Sequence, residues 1–131
     1  MKQTAQLKYL RIAPRKVRLI GDLVKGLPAV EAEAQLMYER KRAAKPVLKL
    51  LRSAVANAVA TKKANVEKLF VESVRVDGGP MMKGRYLPRA HGSASPIQRK
   101  MSHITIVLAE KEDLKPRFKI VVSRPFLKVS R

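Results

Sequence analysis

Five cationic side chains and no carboxylate lie in the segment 78–109. Arginine can clamp a phosphate with its planar guanidinium or stack on a base, and lysine supplies a compact positive charge. Tyr86 and His91 add rings on which unpaired bases can stack. Because no acidic residue neutralises the repulsion among these cations, the segment is expected to lie against a polyanion. The cations are Lys83, Arg85, Arg89, Arg99 and Lys100.

Catalytic and metal-binding chemistry have little support in the sequence. With no cysteine and two histidines, His91 and His103, no metal site is expected and no cofactor is indicated. A nuclease would need clustered carboxylates, or a histidine with an acidic partner. The candidate acids belong to different predicted elements and show no motif spacing: Glu31, Glu33, Asp77 and Glu110. We therefore expect no enzyme, and RNA cleavage abolished by His103→Ala would contradict that expectation.

The net charge indicates the same kind of partner. There are 29 basic and 10 acidic residues, which gives +19 at pH 7. Such a balance favours a nucleic acid or an anionic membrane surface. No apolar run reaches the length of about 18 residues expected of a membrane helix, and nothing after Met1 resembles a signal peptide. There is also little of the amphipathic patterning that a helix needs to insert into a membrane surface. Nucleic acid is therefore the favoured partner, and no membrane is expected.

The charge is distributed unevenly along the chain. The first 27 residues carry seven basic and one acidic residue, whereas residues 28–77 carry ten basic and six acidic residues. Residues 110–131 carry seven basic and three acidic residues. A chain of 131 residues predicts a single domain. The balanced middle is interpreted as the folding unit, and the start, the segment 78–109 and the tail as contact surfaces.

A strand and a helix are predicted at the start of the chain. Residues 6–12 mix β-formers with cations, and Leu10 and Ile12 would share the buried face of a strand. Pro14 suits the first turn of the following helix, and Gly26 is a suitable end for it. The apolar face of this helix is predicted at Val17, Ile20, Val24 and Leu27.

Three cations crowd the first turn of that helix: Arg15, Lys16 and Arg18. A helix N-terminus carries partial positive charge, so each cation there costs about a few tenths of a kcal/mol or more. A docked phosphate backbone would offset this cost, because the helix end and the cations both attract phosphate. A solvated basic face is the alternative interpretation.

Two further helices complete the predicted core. A short helix over 29–38 has an apolar stripe at Val30, Ala34 and Met37. A longer central helix is predicted over 44–62, and its alanines would let another element approach closely. Its buried positions are predicted at Val47, Leu50, Leu51, Ala54, Ala58 and Thr61.

The two strongest strand patterns, 69–76 and 103–109, flank the basic segment. Together with the strand at 6–12 they predict an α+β fold, in which a three-stranded antiparallel sheet packs on three helices. The first pattern leaves two phases open, one with Phe70, Val74 and Val76 inward and the other with Leu69 and Val71 inward.

The connection between these strands predicts a long protruding β-hairpin over 78–103. Its prolines are tolerable because both strands of an isolated ribbon are edges. A ribbon without a hydrophobic face is marginal in water, so we expect it to be mobile in the free protein and ordered by its partner. Residues 112–131 follow as a basic C-terminal extension, in which 118–122 resembles a strand and a disordered tail is the alternative.

Four separated motifs resemble the family of ribosomal protein twenty-two of the large subunit, of the bacterial type. They are APRKVRLIGDLVKG, SAVANAV, VDGGPMMKGRYLPRAHGSASPI and KMSHITIVLAEK, in the family's order between Gln6 and Lys111. The resemblance implies one ribosomal-protein domain, residues 1–111, with the extended hairpin 78–103. It implies a structural constituent that binds 23S-type rRNA, supports subunit assembly and lines the nascent-peptide exit tunnel with its hairpin tip.

The implied partners are large-subunit rRNA, neighbouring large-subunit proteins and a nascent peptide near the tip. The chain would be a monomer within the cytoplasmic ribosome. The tunnel tip carried over from the third motif is Arg85, Tyr86, Leu87, Pro88, Arg89, Ala90, His91 and Gly92. The implied rRNA contacts are Arg11, Arg15, Lys16, Arg18, Lys83, Arg85, Arg89, His91, Arg99, Lys100, Ser102 and His103.

The chain departs from the family pattern at several positions. Ala13 stands where the family usually has serine, so a helix-capping hydrogen bond should be missing. Gly84 looks like one extra residue in the descending arm of the hairpin. His91, Ser93 and residues 95–96 replace a more basic pattern, which would weaken the grip of the tip on rRNA.

A DNA-binding protein is the remaining alternative, with residues 14–38 acting as a helix-turn-helix. The second of those helices carries Glu31 and Glu33, which would repel the phosphates that line the major groove. A preference for duplex DNA over rRNA would favour this alternative.

Overall fold

The computed structural model describes residues 2–62, 64–82 and 84–110. The strand predicted at 118–122, with the rest of the C-terminal extension, lies outside the described residues. A short 3₁₀ helix, Val66–Lys68, precedes β2. In chain order the helices and strands are β1 (Lys2–Leu10), α1 (Pro14–Val24), α2 (Ala29–Tyr38), α3 (Ala44–Lys62), β2 (Leu69–Met82), β3 (Tyr86–Pro88), β4 (Ala94–Pro96) and β5 (Arg99–Glu110).

The main sheet has three antiparallel strands in the order β1-β5-β2. Side chains of a strand alternate between its faces, and in β5 every second residue from Ser102 to Leu108 is buried. The three helices contribute to the hydrophobic core that covers this face. The predicted α+β fold, a three-stranded antiparallel sheet packed on three helices, is therefore confirmed.

Strand β1 begins and ends earlier than predicted. It pairs with β5 from Lys2 opposite Ala109, and Ile12 lies beyond its end. The polar residues at its start give little strand signal, but the edge of β5 supplies them with backbone partners. Near its end the register shifts by one residue, and Tyr9 takes a positive φ of 58°.

Helix α1 matches its prediction, with Val17, Ile20 and Val24 buried. Gly26 has φ +79°, the left-handed conformation for which glycine is suited after a helix. Its N–H donates to the carbonyl of Val71 at 2.8 Å, and the Val71 N–H donates to the carbonyl of Leu27 at 2.9 Å. The connection from α1 to α2 is thereby fixed to β2, and Leu27 is buried.

The apolar stripe predicted for α2 was wrong, although the bounds of the helix were right. Ala29, Ala32 and Leu36 are the buried apolar residues of the helix, whereas Met37 is 60% exposed. Several faces of this alanine-rich helix are apolar, so the spacing alone does not select one. Packing against α3 and β2 selects the face that carries Leu36.

Helix α3 has the predicted bounds and nearly the predicted buried face. Thr61 is exposed, because it lies in the last turn, beyond the packed part of the helix. Val55 is buried and was not predicted. The predicted positions that are buried are Val47, Leu50, Leu51, Ala54 and Ala58.

A β-bulge resolves the two phases left open for β2. Val71 pairs with Leu108 and Ser73 with Val107, so Glu72 is an extra residue on β2. A bulge reverses the alternation of faces along a strand. Leu69 and Val71 therefore face the core before the bulge, and Val74 and Val76 face it afterwards.

The hairpin continues β2 and β5 beyond the core. Their ladder extends to the pair Met82–Arg99, and a separate ladder of β3 with β4 begins at Tyr86–Pro96. Between these pairs the descending arm has three residues, 83–85, and the ascending arm has two, 97–98. The descending arm is therefore one residue longer than the ascending arm at this point, and whether Gly84 is an insertion relative to the family stays a prediction.

Candidate nucleic-acid interface

The N-terminus of α1 has no side-chain cap. Ala13 occupies the cap position with extended backbone (φ −62°, ψ 139°), and the first turn holds no acidic residue. Unsatisfied N–H groups and the helix dipole make such an end attractive to anions. The three cations predicted there, Arg15, Lys16 and Arg18, are exposed. The arrangement therefore matches the phosphate-binding end that the sequence indicates.

Arg18 connects this helix end to the root of the hairpin. Its Nη2 donates to the carbonyl of Val76 at 3.3 Å, two residues before the hairpin begins at Gly78. Arg11, in the connection between β1 and α1, is exposed as well. The cations of α1 and those of the hairpin therefore belong to adjoining parts of the molecule.

The hairpin cations are exposed and carry no salt bridge among the described residues. The four ion pairs in the described part of the chain involve other cations, namely Lys2, Lys41, Arg52 and Arg75. Lys83 lies outside the described residues. The exposed hairpin cations are Arg85, Arg89, Arg99 and Lys100.

The hairpin tip is a tight turn held by its own backbone. The N–H of Arg89 donates to the carbonyl of Ser93 at 2.8 Å, and Ser93 Oγ donates to the carbonyl of Ala90 at 2.9 Å. His91 and Gly92, at the apex, both have positive φ, 57° and 69°. The predicted tip covered the descending arm and the apex, and missed Ser93, whose hydroxyl helps to close the turn.

Gly84 lies close to the backbone of the opposite arm of the hairpin. A Cβ at this residue would lie 1.8 Å from the carbonyl oxygen of Ile97, and the Ile97 N–H donates to the carbonyl of Arg85 at 2.8 Å. A residue with a side chain would force the arms apart here. The glycine therefore permits the joint between the two ladders of the hairpin.

His103 is held at the root of the hairpin by both neighbouring strands. The N–H of Tyr9 donates to His103 Nδ1 at 3.0 Å, and the two rings meet edge to face with centroids 4.9 Å apart. Asp77 is the partner of His103 on β2. Because Nδ1 accepts a hydrogen bond, the neutral ring carries its proton on Nε2. Tyr9, which the sequence analysis did not select, is 61% exposed.

Ser102 has no exposed surface. It lies on the face of the sheet that the helices cover, and its neighbours on the adjacent strands are Leu10 and Gly78. Its hydroxyl is not accessible to RNA in this conformation. The physical reason is the alternation of β5, which puts Ser102 on the core face and His103 on the opposite one. Ser102 is therefore not part of the proposed RNA-binding surface.

Two other kinds of site are absent from the described ranges. No helix there is both long and apolar enough to cross a membrane. No group of three or more histidine, cysteine, aspartate or glutamate side chains is placed there to hold a metal ion.

Comparison with known proteins identifies close relatives. Residues 5–109 match the family model described as ribosomal protein L22p/L17e. The large ribosomal subunit protein uL22 of Geobacter sulfurreducens is 47% identical over 112 residues, which cover 86% of this chain and all of that protein. The uL22 protein of Syntrophobacter fumaroxidans is 49% identical over 85% of this chain and all of its own length. That of Mesoplasma florum is 46% identical, over 85% of this chain and 98% of its own length.

Proposed function

Because the chain belongs to the ribosomal protein L22p/L17e family, we propose that it binds 23S-type rRNA, supports assembly of the large subunit and lines the peptide exit tunnel with its hairpin tip. Membership of this family makes it a structural constituent of the large ribosomal subunit rather than an enzyme. The chain then functions in the cytoplasmic ribosome. Its partners are rRNA, neighbouring large-subunit proteins and the nascent peptide.

The observation that carries the proposal is the composition of the hairpin surface. Residues 84–100 are exposed apart from Ser95, which is partly so. No acidic residue occurs from Gly78 to Ala109. A ribbon of this kind gains little from its own packing, whereas RNA phosphates on both of its sides would neutralise its cations and release counterions. The hairpin is therefore suited to lie between segments of RNA.

The rRNA-binding surface that we propose has two parts. The first is the N-terminus of α1 together with Arg11. The uncapped helix end and the exposed cations beside it would both attract a phosphate backbone. The second is the hairpin with His103 at its root. The residues of these two parts are Arg11, Arg15, Lys16, Arg18, Lys83, Arg85, Arg89, His91, Arg99, Lys100 and His103.

The tip is the part proposed to meet the nascent peptide. Tyr86 and Leu87 are large apolar residues that remain exposed, and no carboxylate lies near them in the sequence. The turn at Ala90–Gly92 keeps the apex narrow. The tip offers apolar and aromatic surface to a passing chain while the arms are held by rRNA.

We place the end of the ribosomal-protein domain at Lys111. The family match ends at residue 109, and the Geobacter relative is covered in full by 112 residues of alignment. Residues 112–131 are then a basic extension, and we propose that another stretch of rRNA is its partner.

The test is sedimentation of the tagged chain from a lysate of its own cells through a sucrose gradient, before and after a high-salt wash. A protein threaded through rRNA should comigrate with the large subunit and stay there in high salt. Loss at high salt, or a position at the top of the gradient, would contradict the proposal, because a simple polyelectrolyte contact weakens steeply with salt. Binding to duplex DNA would then be tested.

A further inference from the structure

A cleft lies on the face of the sheet opposite the helices, at the root of the hairpin. It has a volume of about 320 Å³, at the lower end of the range for small-molecule sites. Residues from all three strands of the sheet line it, notably Lys8 and Tyr9 of β1, Arg75 and Asp77 of β2, and His103 of β5. We propose that this cleft binds one unstacked base of the RNA, with a preference for guanine, a proposal that rests on the rRNA binding proposed above.

Tyr9 supplies the stacking surface. The bulge in β1 and the positive φ of Tyr9 turn its ring towards His103, whose own ring meets it at 89°. A tyrosine rarely adopts this backbone conformation, and such outliers concentrate at functional sites. The residue is nevertheless 61% exposed. A ring that is held at a fixed angle and stays open to solvent is suited to stack on a splayed base.

The His103 ring, against which the Tyr9 ring packs, is also held from the side of β2. The backbone of Gly79 approaches His103 so closely that a Cβ there would lie 3.2 Å from Nε2. His103 is thus packed between the Tyr9 backbone, which donates to Nδ1, and β2. The platform is preformed rather than assembled from mobile side chains, which lowers the entropic cost of binding a base.

Asp77 supplies the recognition group. It is the last acidic residue before Glu110 in the sequence, and on a surface that binds phosphate a carboxylate is repulsive. Its Oδ2 lies 3.4 Å from Arg75 Nε, yet 54% of the side chain remains exposed. A carboxylate only accepts hydrogen bonds. Guanine presents two adjacent donors, N1–H and the 2-amino group, whereas adenine, cytosine and uracil present one donor beside an acceptor.

Lys8 and Arg75 complete the cleft. Both are exposed cations in its lining, placed to neutralise the phosphates on either side of an inserted nucleotide. The cleft therefore combines a stacking ring, a paired acceptor and flanking cations, the three components with which proteins read single-stranded RNA.

An in-strand ion pair with Arg75 is the simpler role for Asp77, and the two roles predict opposite effects of Asp77→Asn. If Asp77 only balances charge, its neutralisation raises the net charge of the surface and strengthens RNA binding. If it accepts hydrogen bonds from guanine, its neutralisation weakens binding to guanine-containing RNA and leaves uridine-only RNA unaffected or better bound.

The experiment measures fluorescence anisotropy of labelled RNA hexamers with the full chain at one fixed salt concentration. The probes are oligouridine, oligouridine with one central guanosine, and the same hexamer with inosine, which lacks the 2-amino group. Wild type should bind the guanosine probe at least about fivefold tighter than oligouridine, the lower end of what a bidentate base contact gives. The inosine probe should lose most of that advantage, which is a test that needs no variant.

Matched variants then identify the residues. Tyr9→Ala and Asp77→Asn should remove the guanosine preference, whereas Tyr38→Ala and Glu67→Gln, at exposed positions outside the cleft, should keep it. Equal affinity of wild type for all three probes would overturn the inference, as would an unchanged preference in Asp77→Asn. Wild type that fails to bind even a full-length large-subunit rRNA would instead overturn the proposed function, so the two failures are distinguishable.

Discussion

Strand β5 buries every second side chain from Ser102 to Leu108, whereas its first residues, Arg99 and Lys100, are both exposed. The same strand therefore belongs to two regions with different sources of order. The helix-covered sheet has a core that includes Val17, Leu51 and Ile106, all nearly inaccessible. The hairpin has a backbone ladder and a series of cations.

This difference shows how one strand pair can serve both folding and binding. Burial of apolar side chains stabilises the sheet. The pairing of β2 with β5 in the sheet also sets how the two arms of the hairpin pair. The hairpin's own surface is left for contacts with RNA. The two regions should then respond differently to substitution, with core changes affecting stability and hairpin changes affecting binding.

The largest expected effect is in the core. Leu51→Ala should lower the free energy of unfolding by about 2–5 kcal/mol, because it leaves a cavity under the sheet. Urea denaturation followed by circular dichroism measures this change. Val59→Ala on the same helix, at a position that is 42% exposed, is the control and should cost much less. Equal losses for the two variants would mean that the core is not where the structure places it.

Arg89→Glu should weaken RNA binding by the hairpin without changing the stability of the core. Stability should stay within about 0.5 kcal/mol of wild type, as for most surface substitutions. Binding to large-subunit rRNA should weaken, and the slope of log K against log salt should fall by about one for the lost phosphate contact.

Lys49→Glu is the control for this charge reversal, since Lys49 is an exposed residue of α3 outside the proposed interface. It should alter the salt slope less than Arg89→Glu does. Unfolding of the isolated chain by Arg89→Glu would break the division into two regions.

A smaller effect is expected where the two regions adjoin, at the start of α1. Ala13→Thr supplies the missing cap at a residue whose backbone is already extended, and should stabilise the chain by about 0.5–1 kcal/mol. The thermal midpoint would rise by about 2–5 °C for a domain of this size. Ala13→Val, which has the same shape without the hydroxyl, should give no such rise. A similar gain from valine would refute a capping mechanism.

The smallest effect on global stability, with a large local one, is expected of Gly84→Ala. The new Cβ would collide with the Ile97 carbonyl, so amide chemical shifts of 86–96 should change while the unfolding free energy stays within about 0.5 kcal/mol. Gly78→Ala, where nothing lies within 4 Å, is the control. If Gly84→Ala lowered the unfolding free energy as much as Leu51→Ala does, the hairpin would be part of the cooperative core.

Sequence patterns predicted the elements whose periodicity is strong and local. The face of α1 and the bounds of α3 follow from regular apolar spacing, and Gly26 marks the end of α1 through its backbone freedom. The stripe of α2 was mispredicted because alanine is compatible with several faces. Only the packing partner, which a local pattern does not contain, selects among them.

Bulges account for most of the remaining differences. The extra residue at Glu72 reverses the phase of β2, and the irregularity before Leu10 ends β1 early. A one-residue insertion depends on how two distant strands pair, so neither strand alone predicts it. For the same reason the sequence singled out His103 as a contact residue but missed Tyr9, which only the bulge brings beside it.

Hydrogen exchange tests the division between sheet and hairpin most directly. Amide protection would be compared for residues 86–96 and 104–108, in the free chain and in the purified large subunit. We expect residues 104–108 to be protected in both states, whereas residues 86–96 should exchange quickly in the free chain and become protected in the subunit. Equal protection of the two segments in the free chain would contradict it.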